Sequence, residues 1–206
     1  MASVKVVQLD VGGVDSNFSY LAVSGDGSTI VVDPCGDFSK IRAALKAEGP
    51  SFRPEAILLT HGHHDHFDAL GELRKIFPAP LVGHRLCKVP CDIAFDGDAN
   101  FTFGSIAVKA LHTPGHTPDS VCYILPDASA IFTGDTLFID CCGYCEAPAM
   151  FKTMREKLFP LPDSLIVYSG HNYGHVPFES LGEQKKRNPY LYIDDFAAFK
   201  RELEKL

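Results

Sequence analysis

An α+β sandwich, two β-sheets packed face to face with helices outside, is the fold this sequence predicts, and three observations carry it. Strand-like runs recur between amphipathic helices, and the pattern is given twice along the chain. Hydrophobic residues make up 46% of the 206 positions, enough to bury one good core. A single domain over residues 1–206 is expected.

Each element follows from local pattern. The first half opens on three strands, Val4 to Leu9, Phe18 to Val23 and Thr29 to Val32, with Gly25-Asp26-Gly27 as the hairpin turn between the last two. Phe38, Ile41, Ala44 and Leu45 keep helical spacing between Phe38 and Ala47. The chain then returns to a short apolar run, Ala56 to Leu59, that suits a buried strand. A second helix is predicted around Phe67 to Ile76, then a strand at Leu81 and Val82. The second half repeats the scheme with β-rich segments Ile106 to Leu111, Val121 to Leu125 and Ala130 to Thr133, a helix from about Ala147 to Phe159, and a strand from Leu165 to Ser169. In the tail from Asp194 to Leu206, Phe196, Ala197, Phe199 and Leu203 form one stripe against Lys200, Arg201 and Glu204.

Composition removes several function classes. The formal charge of −7 lacks the basic surplus that draws proteins onto phosphate backbones or anionic membranes, so neither nucleic acid nor a membrane is expected as a partner. Residues 1–10 carry no signal-peptide apolar region and no spanning segment, so a cytoplasmic location is expected. Seven cysteines, with Cys141, Cys142 and Cys145 crowded in one loop, are unlike a disulfide framework, and reduced thiols are expected. The close pairs Cys87/Cys91 and Cys142/Cys145 could together form a four-thiolate structural zinc site, but thiols that simply pack their loops are the preferred reading.

The strongest chemical signal is Thr60-His61-Gly62-His63-His64-Asp65-His66, directly after the strand Ala56 to Leu59. In an extended chain the imidazoles of His61 and His63 leave on the same side, while Asp65 and His66 begin the next turn and aim at a neighbouring point. Surface histidines and a helix-capping Asp are the bland account, which a cluster this dense makes poor. Three more segments each offer a ligand at a strand end, just after a glycine: Gly115-His116, Gly134-Asp135 and Gly170-His171. Glycine permits the tight turn or close approach that aims a side chain at a shared point.

Together these motifs resemble the metallo-β-lactamase superfamily over nearly the whole chain, and the resemblance implies an αββα sandwich with the site at the rim between the sheets. It also implies that His61, His63 and His116 hold one metal, that Asp65, His66 and His171 hold a second, and that Asp135 bridges both. Asp33 matches a supporting carboxylate behind the ligands, although a turn-forming Asp33-Pro34 explains it equally well. Five imidazoles and two carboxylates suit zinc, iron(II) or manganese without choosing among them, and zinc is the first expectation. Two divalent ions about 3.5 to 4 Å apart would share a water and bring its pKa toward about 7, giving a hydroxide nucleophile. One ion would then polarise a carbonyl, with Asp65 and Asp135 as the catalytic carboxylates.

The β-lactamases of this superfamily lack the carboxylate that Asp135 supplies, which points away from antibiotics. Phe132-Thr133-Gly134-Asp135-Thr136-Leu137-Phe138, Cys142-Gly143, and the stretch from Ser180 through Leu191 resemble glyoxalase II (hydroxyacylglutathione hydrolase) and the persulfide dioxygenases. A dinuclear hydrolase of a small-molecule thioester, or a related ester or lactone, is therefore the first expectation. A mononuclear iron persulfide dioxygenase and a noncatalytic metal-binding relative are the alternatives. Tyr144 stands where those relatives carry a basic residue for glutathione, and their C-terminal helical part is expected here only as a short amphipathic tail. Tyr144, Tyr173 and His175 are candidate substrate contacts; His84 reads as a surface or helix-start residue, and His112 as a strand end or support.

Overall fold

A computed structural model describes residues 3–206. Its first sheet comprises β1 (Val4–Gly12), β2 (Asn17–Ser24), β3 (Ser28–Val32), β4 (Arg53–Leu58), β5 (Leu81–His84) and β6 (Ile93–Phe95), in that spatial order. β1 to β3 pair antiparallel, and β3 to β6 run parallel. The second sheet has the order β12 (Glu179–Ser180), β11 (Ile166–Ser169), β10 (Ala130–Gly134), β9 (Val121–Leu125), β8 (Ile106–His112), β7 (Ala99–Phe103). Helices α1 (Phe38–Ala47) and α2 (Leu70–Leu73) cover the first sheet, while α3 (Ala147–Lys152), α4 (Leu181–Arg187), α5 (Pro189–Tyr192) and α6 (Phe196–Leu203) cover the second. The expected αββα sandwich is the architecture found.

Strand alternation explains the layers. In β2, Phe18, Tyr20 and Ala22 face the space between the sheets while Leu21 faces α1. In and just beyond β4, Ala56 and Leu58 point inward and Ile57 and Leu59 outward. Both faces of these strands are apolar because the second sheet covers one and α1 and α2 the other. Two buried tyrosines tie the sheets together across the core. The Tyr20 hydroxyl donates to the Ser169 carbonyl, and the Tyr123 hydroxyl donates to the Leu59 carbonyl at 3.0 Å.

Several expectations need correction. The predicted helix from Phe67 to Ile76 shrinks to Leu70–Leu73, because Asp68 is engaged as acceptor for the Gly36 amide (2.7 Å) and the Ala69 amide reaches the Pro34 carbonyl (3.2 Å). The helix after Ala147 continues from α3 into a π-helical segment, Thr153–Leu158. The C-terminal part is not a lone amphipathic tail: α4 and α5 precede α6, and Leu181, Leu191 and Phe199 seat them in the outer core of the second sheet. β6, β7 and β12 were not expected either. No helix among the described residues is long and apolar enough to cross a membrane.

Candidate metal centre

At one rim the carboxyl ends of the parallel strands β3, β4, β10 and β11 converge, and hydrogen bonds join the two sheets there. Val121 donates its backbone N–H to the Thr60 carbonyl, and Phe18 donates to the Gly170 carbonyl, each at 2.8 Å. Two clusters of potential ligand atoms result, one of His61, His63, His116 and Asp135 and one of Asp65, His66 and His171. Asp135 faces both. Its Oδ2 lies 3.5 Å from His116 Nε2, 3.9 Å from His61 Nε2 and 3.3 Å from His171 Nε2, and its Oδ1 lies 3.3 Å from His66 Nε2. All seven residues predicted from the sequence are thus brought to one rim.

The outer partners set the ring orientations. A carbonyl or carboxylate can only accept, so Nδ1 must be the protonated nitrogen in His66 (to Asp33 Oδ2, 3.0 Å), His116 (to the Tyr144 carbonyl, 2.7 Å) and His171 (to the Asp15 carbonyl, 2.7 Å). Their Nε2 atoms are left with lone pairs directed inward. His63 presents Nδ1 instead, 3.0 Å from Nε2 of both His61 and His116. Asp33 is buried and also accepts the Thr60 amide (2.8 Å) and hydroxyl (2.6 Å), so it anchors the motif as well as His66.

The glycines before the ligands are close-approach positions. Gly134 adopts φ +49°, and a Cβ on it would lie 2.4 Å from Thr60 Oγ1. A Cβ on Gly170 would lie 2.4 Å from Asp135 Oδ1 and 2.8 Å from His66 Cε1.

Electrostatics show what the cage lacks. Burial and the neighbouring His66 hold His61 well below the ordinary histidine value, and burial with His116 lowers His63. Burial opposes a charge on His66 too, but Asp135 and Asp33 outweigh it and raise this ring well above its ordinary value. Burial likewise opposes ionisation of Asp135, yet His66, His171 and His61 hold it well below the carboxylate range. His171 is raised, chiefly by Asp135 against burial. His66 Nε2 and Asp135 Oδ1 are nonetheless buried without a hydrogen-bond partner. With Nδ1 carrying the proton, both are lone-pair atoms facing one another, and beside the other convergent imidazole lone pairs they fit a divalent cation.

Supporting residues missed by the sequence reading are Asn17, Asp15 and Asp119. The buried Asn17 amide donates to Asp65 Oδ2 (3.0 Å) and to the Asp65 carbonyl (3.1 Å), and Asp119 accepts the Gly62 amide (2.8 Å). Asn17 and Asp119 are buried polar residues with no motif around them, and Asp15 is exposed and acts on His171 through its backbone carbonyl. Tyr173 stacks parallel on His171 with centroids 5.0 Å apart, while its hydroxyl donates to Asp15. The Tyr144 ring is 86% exposed beside His116. His175 is held by Asp140 (2.6 Å), with Arg187 alongside, away from the two clusters.

One further expectation changes, and the preferred reading of the cysteines as loop-packing thiols stands. His84 is no surface residue: it ends β5, is buried, and stacks at 4.0 Å on His112, which ends β8. The cysteine pairs do not converge on a four-thiolate cage, since Cys87 and Cys91 pack against the outer core of the first sheet and Cys142 and Cys145 against that of the second. All seven cysteines are free.

With this geometry in place, comparison with known proteins gives a match to the Metallo-beta-lactamase superfamily over residues 12–86 and 88–171, more than half of the chain. The chain belongs to this superfamily. Among its relatives in the superfamily, hydroxyacylglutathione hydrolase from Bartonella henselae is 37% identical over 82% of this chain and 80% of its own length. The probable polyketide biosynthesis zinc-dependent hydrolase PksB from Bacillus subtilis is 33% identical over 81% of this chain and 77% of its own. The crystal structure of ETHE1 from Myxococcus xanthus superposes with a TM-score of 0.85 at 26% identity, covering 97% of this chain and 90% of that one.

Proposed function

We propose that this protein is a metal-dependent thioesterase of the glyoxalase II kind, acting on a thioester or a related ester or lactone through two divalent ions, zinc first. The observation that carries the reading is Asp135, which faces two ligand clusters at once and leaves a buried oxygen for each side to share. His61, His63 and His116 would hold one ion, Asp65, His66 and His171 the other, and Asp135 both. When bound there, such ions supply Lewis acidity and lower the pKa of water toward neutrality.

The chain's own residues do the rest. Asp33, the Tyr144 carbonyl and the Asp15 carbonyl keep Nδ1 protonated on His66, His116 and His171, so each ring offers Nε2 without a tautomer change. Asn17 holds Asp65 in place. The site is closed behind His61 and His66 and open at His63, and clefts of about 500 and 270 Å³ share His116 as a wall. A small acyl substrate can reach the rim from that side. The hydroxyacylglutathione hydrolase and zinc-dependent hydrolase relatives support both the reaction class and the metal.

A second reading, a mononuclear iron persulfide dioxygenase, is favoured by the superposition on ETHE1. Anaerobic assay separates the two. The thioesterase releases a free thiol from a thioester without oxygen, whereas strict oxygen uptake with a persulfide substrate and no anaerobic thioester cleavage would replace the first reading by the second.

A further inference from the structure

We propose that Cys142 and Cys145 form a dithiol site that a low-molecular-weight disulfide oxidises, and that the resulting cross-link distorts the loop on which His116 and Asp135 rest. The two thiols lie three residues apart in one loop and pack against the same outer core of the second sheet, close enough for each to perturb the other's ionisation. Cys142 is buried and Cys145 is partly exposed on a cleft of about 500 Å³ that also contains His116 and Tyr144. One sulfur is therefore accessible to a reagent and the other is placed to resolve it.

The residues between and beside the pair are bonded to the candidate metal centre at each step. Gly143 donates its N–H to the Asp135 carbonyl at 3.1 Å, the Tyr144 carbonyl accepts from His116 Nδ1 at 2.7 Å, and Glu146 donates to the Gly115 carbonyl at 2.8 Å. There is no slack in this loop: a Cβ on Gly143 would lie 2.2 Å from the Asp135 carbonyl oxygen and 3.0 Å from His116 Nδ1. A covalent S–S length of about 2.05 Å constrains both ends of this four-residue segment, and the strain falls on Gly143 and Tyr144 between them. The carbonyl that fixes the His116 tautomer moves with them.

The chemistry balances as thiol–disulfide exchange. The Cys145 thiolate attacks one sulfur of the external disulfide, breaking its S–S bond, forming a mixed disulfide and expelling one thiolate. The Cys142 thiolate then attacks the Cys145 sulfur, closing the internal disulfide and expelling the second thiolate. Two protons pass from the protein thiols to the two released thiolates, and the protein loses the two electrons the reagent gains. Cys87 and Cys91 lie in one loop on the outer core of the first sheet, with the Cys87 sulfur against Gly62, so this second pair serves as an internal comparison.

The test does not depend on which substrate the protein takes. Zinc-loaded protein is treated with oxidised glutathione, mapped by peptide mass spectrometry, and followed for zinc release to a chromophoric chelator. The expected result is a Cys142–Cys145 cross-linked peptide, lighter by about 2 Da, with zinc retention weakened about tenfold or more and restored by dithiothreitol. Cys145→Ser should retain zinc after the same treatment, as should Cys142→Ala, while Cys87→Ser should remain sensitive. Cross-linking confined to Cys87 and Cys91, no Cys142–Cys145 peptide in the wild type, or a cross-link that leaves zinc retention unchanged would each overturn the proposal.

Discussion

Asp33→Asn asks whether one buried carboxylate sets the His66 ring for metal. Asp33 sits at φ +46°, a left-handed conformation that asparagine tolerates well, whereas most other replacements would add about 1–2 kcal/mol of backbone strain. The side-chain shape is kept, but one acceptor oxygen becomes an amide donor. The remaining oxygen can still accept the Thr60 amide, and the Thr60 hydroxyl can turn to accept from the new N–H. His66 Nδ1 cannot donate to that amide, so the ring must move its proton to Nε2, the atom facing Asp135. A lost hydrogen bond to a charged group is worth about 1.5–3 kcal/mol. At about 1.4 kcal/mol per tenfold, that is roughly a 10- to 150-fold weaker grip on the ion held by His66. Competition for zinc against a chromophoric chelator reads this directly, and a thermal melt of the metal-free protein checks that folding is largely kept. A variant that binds both ions as tightly as the wild type would refute the reasoning.

Three other expectations follow from the same geometry. Asp135→Ala should lose both metal ions and activity, while His84→Ala keeps both ions and costs only stability, about 2–5 kcal/mol, through the cavity left at a buried site and the lost contacts with His112 and Phe95; equal metal loss in the two variants would contradict the bridging role. Gly170→Ala should fold but bind metal and turn over about 10- to 100-fold less well, because its Cβ meets Asp135 and His66, and metal content with kinetics will show it. Metal uptake should release protons, because His66 and His171 are raised in the metal-free protein; the release, measured by calorimetry in buffers of different ionisation enthalpy, should grow and zinc affinity fall as pH is lowered. In the metal-free protein the raised His66 contributes stability that is fully present below its ordinary value of 6.5 and is lost as pH rises through the raised one.

The residues that were legible in the sequence are those whose type alone carries the signal. The apolar runs of β2 and β4 are legible because both faces are buried, and His61, His63, Asp65 and His66 are conspicuous because so many ligand types share one strand end. β12 had no local signal, since its two residues become a strand only by pairing with Ile166 and Val167. β6 and β7 are edge strands with half-exposed side chains, which weakens the pattern. The start of α4 was readable: Ser180 caps the amide of Glu183, the S-x-x-E arrangement of a capping box. At the site, the Tyr144 and Asp15 contributions come from backbone carbonyls, which any residue supplies, so no residue type could reveal them. His84 misled because a histidine beside a loop reads as exposed until its stacking partner, distant in sequence, is in view.

The central claim is a two-metal site in which both clusters are used, and metal stoichiometry measured together with anaerobic activity tests it most directly. Metal-free protein titrated with zinc should regain thioester cleavage without oxygen only as the second ion per chain binds, with Asp135→Ala regaining none. Full activity at one ion per chain, or cleavage that continues after both ions are removed, would contradict the account.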